Sequence, residues 1–202
     1  MTGDRNTHRK YSAAQVLGIA TIAALTGGLF IWYLTAAREG LWHMRKGEAA
    51  LVAPDFVADE KTLRRVPDFT LPDRAGTPVK LSGFSGVDVL IVNIWSAGCP
   101  ACREEIPSLT ELDRRLSHRD GVELLTIAIA DGWDDVASYF PQGTNLRILF
   151  DGEDRVGKGV FHTEKYPETF ILDRNRNIRA RFDGLREWHS DAFVTWVASF
   201  RQ

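Results

Sequence analysis

The chain has 202 residues, 44% of them apolar and 26% charged, with 25 basic against 27 acidic side chains and a formal net charge of −2. That balance excludes a wholly disordered chain, a collagen and a protein of many membrane spans. It also leaves no basic excess with which to neutralise nucleic-acid phosphates, so no nucleic-acid partner is expected.

Residues 1–10 form a short tail. From Tyr11 to Ala37 there is no charged side chain, a run of 27 residues. As a helix it would be roughly 40 Å long, more than the ~30 Å of a hydrocarbon core. Trp32 and Tyr33 lie near its C-terminal end, where aromatic rings suit a membrane interface. A cleaved signal peptide needs a shorter apolar stretch, and Thr35-Ala36-Ala37 matches a cleavage site only in part. Residues 11–37 are therefore read as an uncleaved single transmembrane anchor, and 1–10 as its cytoplasmic tail. Arg5, Arg9 and Lys10 before the span balance Arg38, Arg45 and Lys46 after it, so charge does not set the orientation. Residues 38–65 show no strong periodicity and read as a juxtamembrane linker.

Residues 66–202 read as one domain. Residues 68–72 and 77–81 flank the turn-rich Asp73-Arg-Ala-Gly76, a small hairpin. Val89 to Trp95 is a continuous, β-branched apolar run, a strand buried on both faces. From Ala101 to Leu116, Ile106, Leu109, Leu112 and Leu116 recur at helical spacing, with Pro107 expected to bend the first turns. Val122 to Ala130 is a second central strand. A short helix over 134–140, a strand over 146–150 and a short helix over 154–161 follow. Residues 168–172 and 178–182 form a hairpin, and Ser190 caps a last helix with Phe193, Val194, Val197 and Phe200 on its apolar side. Strands alternating with helices argue for an α/β fold around a mixed central sheet.

The chemistry concentrates in Trp95-Ser-Ala-Gly-Cys99-Pro-Ala-Cys102, which holds the only two cysteines of the chain. Placed after a buried strand and at the start of a helix, Cys99 meets unpaired backbone N–H groups that favour its thiolate. The spacing returns Cys102 within one turn, able to resolve a mixed disulfide. Pro100 suits the first helical turn. Half of a zinc site, an inert disulfide and two reduced core cysteines are the alternatives. No second cysteine pair exists, and His118, His162 and His189 lack paired-ligand spacing, so neither metal nor cofactor is expected.

Residues 92–107, with the Pro67-Asp-Phe-Thr-Leu-Pro-Asp block and Tyr166-Pro167-Glu-Thr-Phe-Ile-Leu-Asp173, resemble membrane-anchored thioredoxin-like proteins of the TlpA/ResA type. The resemblance covers about residues 66–202. It implies a thioredoxin-like fold with an N-terminal β-hairpin, and a redox disulfide between Cys99 and Cys102. It implies a cis Pro167 opposite the pair, with the Tyr166 backbone open to an extended substrate. It places Glu105 beside the thiols, although the residues alone leave a solvated helix carboxylate equally open. Trp95, the aromatic before the active-site loop and partly a core residue, and Pro100, between the two cysteines, are expected to help bind substrate. Two positions depart from the pattern: Asn93 stands where ordinary thioredoxins bury an acid, and Gly98 stands where a tryptophan usually precedes the first cysteine.

The resemblance also implies a function. The expected protein is a tethered thiol:disulfide oxidoreductase, with its domain on the periplasmic or outer face of a bacterial cytoplasmic membrane. It would reduce disulfides of extracytoplasmic proteins, with cytochrome c maturation as one setting, and be re-reduced by a transmembrane electron donor. Two rival classes are a copper-binding module using His162 and a peroxidase of the peroxiredoxin type, for which Ser96 stands three residues before Cys99.

Overall fold

The computed structural model describes residues 12, 14, 17, 26–35, 53–59, 61–117 and 119–201. The chain falls into two units, residues 1–48 and 49–202. In the first, residues 26–35 are helical. Leu29, Phe30, Ile31, Trp32 and Tyr33 are all exposed, so apolar side chains surround this helix on every side. Among the described residues no helix is long and apolar enough to cross a membrane. Most of the anchor expected over 11–37, the tail 1–10 and residues 38–52 of the linker lie outside the described residues.

The second unit is built on a mixed sheet. Strand β1 is Phe56–Val57 and β2 is Arg64–Arg65. Strands β3, Thr70–Pro72, and β4, Pro78–Lys80, pair apart as the expected antiparallel hairpin. In the main sheet β5, Val89–Ser96, lies parallel to β6, Val122–Ile129, and β6 parallel to β7, Ile148–Phe150. On its other side β5 runs antiparallel to β8, Glu168–Asp173, which pairs with β9, Asn177–Asp183. Strands β1 and β2 both add antiparallel to β9. The sheet thus begins before residue 66, inside the stretch assigned to the linker from sequence. Two-residue strands carry no alternation, which is why that stretch reads as featureless.

Strand β5 is buried on both faces, and the period of two along it sorts the core. Val89, Ile91 and Trp95 point into one apolar cluster, and Leu90, Val92 and Ile94 into the other. Asn93 is in phase with the first set, so its amide faces the same layer. That layer holds helix α1, Pro100–Leu116, and helix α3, Asp191–Ala198, which Ser190 caps by accepting from the Phe193 N–H. Helix α2, Trp133–Ser138, lies between β6 and β7 in sequence. The short helix expected over 154–161 is a π-helical turn at Gly157–Phe161.

Helix α1 runs unbroken through Pro107, whose missing N–H leaves the Arg103 carbonyl without its intrahelical donor. Its buried residues Cys102, Glu105, Ile106, Leu109, Leu112 and Leu116 follow helical periodicity onto β5. Leu112 has no exposed surface. Leu112→Ala should therefore lower unfolding free energy by about 3 kcal/mol in urea denaturation. A loss under about 1 kcal/mol would contradict this packing.

Candidate active site

At the end of β5 the chain turns through Ser96, Ala97 and Gly98 into α1. Gly98 has φ +88°, a conformation that disfavours any side chain. Cys99 follows as the helix N-cap, and its Sγ accepts the Cys102 N–H at 3.1 Å. Pro100 occupies the first turn, where an N–H would have no intrahelical acceptor. Cys99 and Cys102 form a disulfide with Cα atoms 5.3 Å apart. Cys99 is half-buried, Pro100 exposed and Cys102 only 1% exposed. An approaching molecule therefore meets Cys99 first.

Opposite lies the segment that enters β8. The Tyr166–Pro167 peptide is cis, and the Tyr166 carbonyl oxygen stands 3.6 Å from Cys99 Sγ. The Tyr166 hydroxyl donates to Asp154 Oδ2 at 2.6 Å. Burial, with the Asp154 carboxylate beside it, holds that hydroxyl protonated well above the usual tyrosine range. A cavity of about 330 Å³ opens beside the turn, lined by Ser96, Gly98, Ile129, Asp131 and Asp135 among others.

Beneath the pair is a buried acid. Glu105 lies three residues after Cys102 on the same buried side of α1 and is 1% exposed. Oε1 accepts from Trp188 Nε1 at 2.5 Å and from the Arg186 N–H at 3.3 Å. Oε2 accepts from Asn93 Nδ2 at 3.1 Å, and the same amide donates to Thr169 Oγ1 at 2.9 Å. Burial pushes the Glu105 carboxyl up to about 7, against these hydrogen bonds, which pull it down. Asn93 thus carries no acid itself but tethers one that stands on the helix and not on the strand. A second buried carboxylate, Glu168, follows Pro167 directly. Burial raises it to about 7 as well, with the Arg181 guanidinium 3.5 Å away opposing the shift.

Cys99, Cys102, Pro100, Tyr166 and Pro167 therefore converge, with Glu105 below them. Glu105 is not a solvated helix carboxylate. Trp95 does not join the surface: it is 2% exposed, its ring 4.9 Å from that of Tyr139 and 6.0 Å from that of Phe140. It is a core residue under the turn, with no face for a substrate. His162 is exposed at the end of the π-helical turn, and the Ser96 hydroxyl donates to the Ala97 carbonyl at 3.2 Å. Among the described residues no group of three His, Cys, Asp or Glu side chains is placed to hold a metal ion. Sequence reading missed Trp188, Thr169 and Tyr139. Trp188 and Tyr139 lie in no motif, Thr169 lies in the Tyr166–Asp173 block without a role of its own there, and each reaches the site only through the fold. Glu168 had one signal, an acid opening an otherwise apolar strand.

The family model described as AhpC/TSA family matches residues 63–181, more than half of the chain and all the elements just described from β2 to the middle of β9. The chain belongs to that family. It is similar to the thiol:disulfide interchange protein DsbE of Vibrio cholerae, with 35% identity over 135 residues, covering 62% of this chain and 68% of that protein. It is 29% identical over 175 residues to the DsbE of Escherichia coli strain K12, covering 82% of this chain and 90% of that one. In structure it is similar to a secreted thiol-disulfide isomerase from Corynebacterium glutamicum, with TM-score 0.60, 24% identity, and coverage of 73% and 94%. The fold is thioredoxin-like, and the chain is a thioredoxin-like thiol:disulfide oxidoreductase of the TlpA/ResA/DsbE type.

Proposed function

We propose that this oxidoreductase is a membrane-tethered reductase of disulfides in extracytoplasmic proteins, working through Cys99-Pro-Ala-Cys102. The observation that carries the reading is the Cys99–Cys102 disulfide at the N-terminus of α1, facing the cis Tyr166–Pro167 segment. The Cys99 thiolate attacks one sulfur of a substrate disulfide and expels the other as a thiolate. Cys102 then loses its proton and attacks Cys99 Sγ, releasing the second substrate thiolate. Two electrons pass to the substrate, and the pair ends as the disulfide. Glu105, raised to about 7 on the same helix face, is the group that influences thiol protonation near neutral pH. The Tyr166 backbone and the exposed Pro100 receive the extended substrate chain.

Residues 11–37 form the anchor in a bacterial cytoplasmic membrane, with 1–10 inside, the segment between residue 38 and β1 as the tether, and the domain from β1 onward on the outer face. The apolar girdle of helix 26–35, exposed on all sides, is the surface a helix presents to lipid. A transmembrane electron donor restores the dithiol, and cytochrome c maturation is the setting in which such a reductant keeps haem-attachment thiols free.

Titration of the full chain against glutathione buffers, followed by Trp fluorescence, tests this. The expected midpoint lies below about −220 mV, on the reducing side of the thiol–disulfide scale. A midpoint near −120 mV would make the protein an oxidant and overturn the reductase reading. The absence of a reversible couple would overturn exchange chemistry itself.

A further inference from the structure

Gly98 leaves the turn before Cys99 without a side chain of its own to pack. A Cβ at Gly98 would meet nothing within 4 Å, so glycine is required here by φ and not by crowding. The turn is held by hydrogen bonds instead. The Cys99 N–H donates to the Ser96 carbonyl at 3.2 Å. The Gly98 N–H donates to the Tyr139 hydroxyl at 2.6 Å, and that hydroxyl lies 3.5 Å from the Ser96 carbonyl it points toward. Tyr139 follows α2 directly and is 7% exposed. Its ring packs on Trp95 from one side, and the Arg103 guanidinium covers it 3.9 Å from the ring centre. Arg103 also donates to the Ser138 carbonyl at 3.3 Å, fastening α1 to the end of α2.

We propose that Tyr139 is a positioning residue whose hydroxyl clamps the 96–98 turn and so keeps Cys99 at the N-terminus of α1 when the disulfide is open. The inference rests on the exchange reading above and extends it to the reduced state. In the oxidised chain the covalent bond to Cys102 already holds Cys99 in place, and the clamp is redundant. In the dithiol nothing covalent does so. The turn then holds the Cys99 backbone so that Sγ, beside the Tyr166 carbonyl, can accept the Cys102 N–H as a thiolate. The clamp therefore stabilises the reduced form selectively.

Tyr139→Phe in the full chain keeps the ring between Trp95 and Arg103 and deletes only the hydroxyl. Glutathione disulfide oxidises the two thiols to the protein disulfide and yields two glutathione thiols. The equilibrium constant of that reaction should rise about five- to tenfold in the variant, the loss of one hydrogen bond from the reduced side. A tenfold rise is a midpoint about 30 mV more negative for this two-electron couple. Amide exchange at Gly98 in the reduced chain should quicken by a similar factor. Arg103→Gln, which leaves the hydroxyl in place, should move the equilibrium less than twofold. Unchanged Gly98 exchange overturns the clamp, whatever the couple does. Faster exchange with an unmoved equilibrium overturns its link to Cys99, and equal shifts from both variants assign the effect to ring packing. A wild-type chain with no reversible couple would defeat the exchange reading instead, and Gly98 exchange would still report on the clamp.

Discussion

Glu105→Gln is expected to change how the stability of the oxidised chain responds to pH, by about 3 kcal/mol between pH 4.5 and 8. Burial holds the Glu105 carboxyl at about 7 in the folded protein, against 4.5 for the unburied group. Between those values the folded chain keeps a proton that the unfolded chain has lost. Stability from this group is therefore full below pH 4.5 and is lost as pH rises through about 7. Glutamine does not titrate, so the variant lacks that loss. Measuring the disulfide form removes cysteine titration from the comparison, since neither sulfur carries a proton there. Glu168, also raised to about 7 by burial, stays in the variant, so the slope should be roughly halved and not abolished. Glutamine fits the site with modest rearrangement. Its carbonyl can keep the Trp188 and Arg186 donors, and a flipped Asn93 amide can present Oδ1, which has no hydrogen-bond partner among the described residues of the wild type. Urea denaturation at several pH values decides it. Parallel curves for the two proteins would mean that Glu105 is ionised throughout, and would remove it as the group that tunes the thiols near neutral pH.

What the sequence made legible follows the range of each interaction. The long strands, α1 and the closing hairpin are local patterns. A continuous apolar run, a 3.6-residue stripe and a turn at 173–177 each specify themselves within a dozen residues. The cysteine pair is legible for the same reason, because strand, turn, N-cap and Pro100 are consecutive. Glu105 was half legible. Its spacing from Cys102 puts both on one helix face, but whether that face is wet or buried depends on Trp188, which arrives from 83 residues further along the chain. Asn93 shows the limit most clearly. Read alone it is a missing acid, whereas the fold makes it the donor that ties Glu105 to Thr169 on the neighbouring strand. Trp95 reads from its place before the loop as part core and part substrate surface, and only the core half holds, because the period of two along β5 turns it inward under the loop. Strands β1 and β2 were illegible because two residues are too few to show a period, and only the edge of β9 selects them.

Cys99→Ser is expected to lower disulfide reduction by about a thousandfold or more, whereas Cys102→Ser should leave the first step intact and stop at the mixed disulfide. The asymmetry comes from burial and backbone geometry. Cys99 is the N-cap, half-buried, beside the Tyr166 carbonyl, while Cys102 sits one residue triplet deeper and is 1% exposed. An external disulfide reaches only the first sulfur. Without Cys102 no internal thiolate can attack the mixed disulfide, so a glutathione adduct on Cys99 should accumulate and be visible as a mass increase of one glutathione. In the Cys99→Ser chain, Cys102 should resist alkylation in the folded state and react only in denaturant, since the helix and core that bury it are unchanged. Equal alkylation rates for the lone cysteine in each folded variant would contradict this division of roles. It would place both sulfurs within reach of substrate and leave Glu105, buried on the face of Cys102, without a buried thiol to serve.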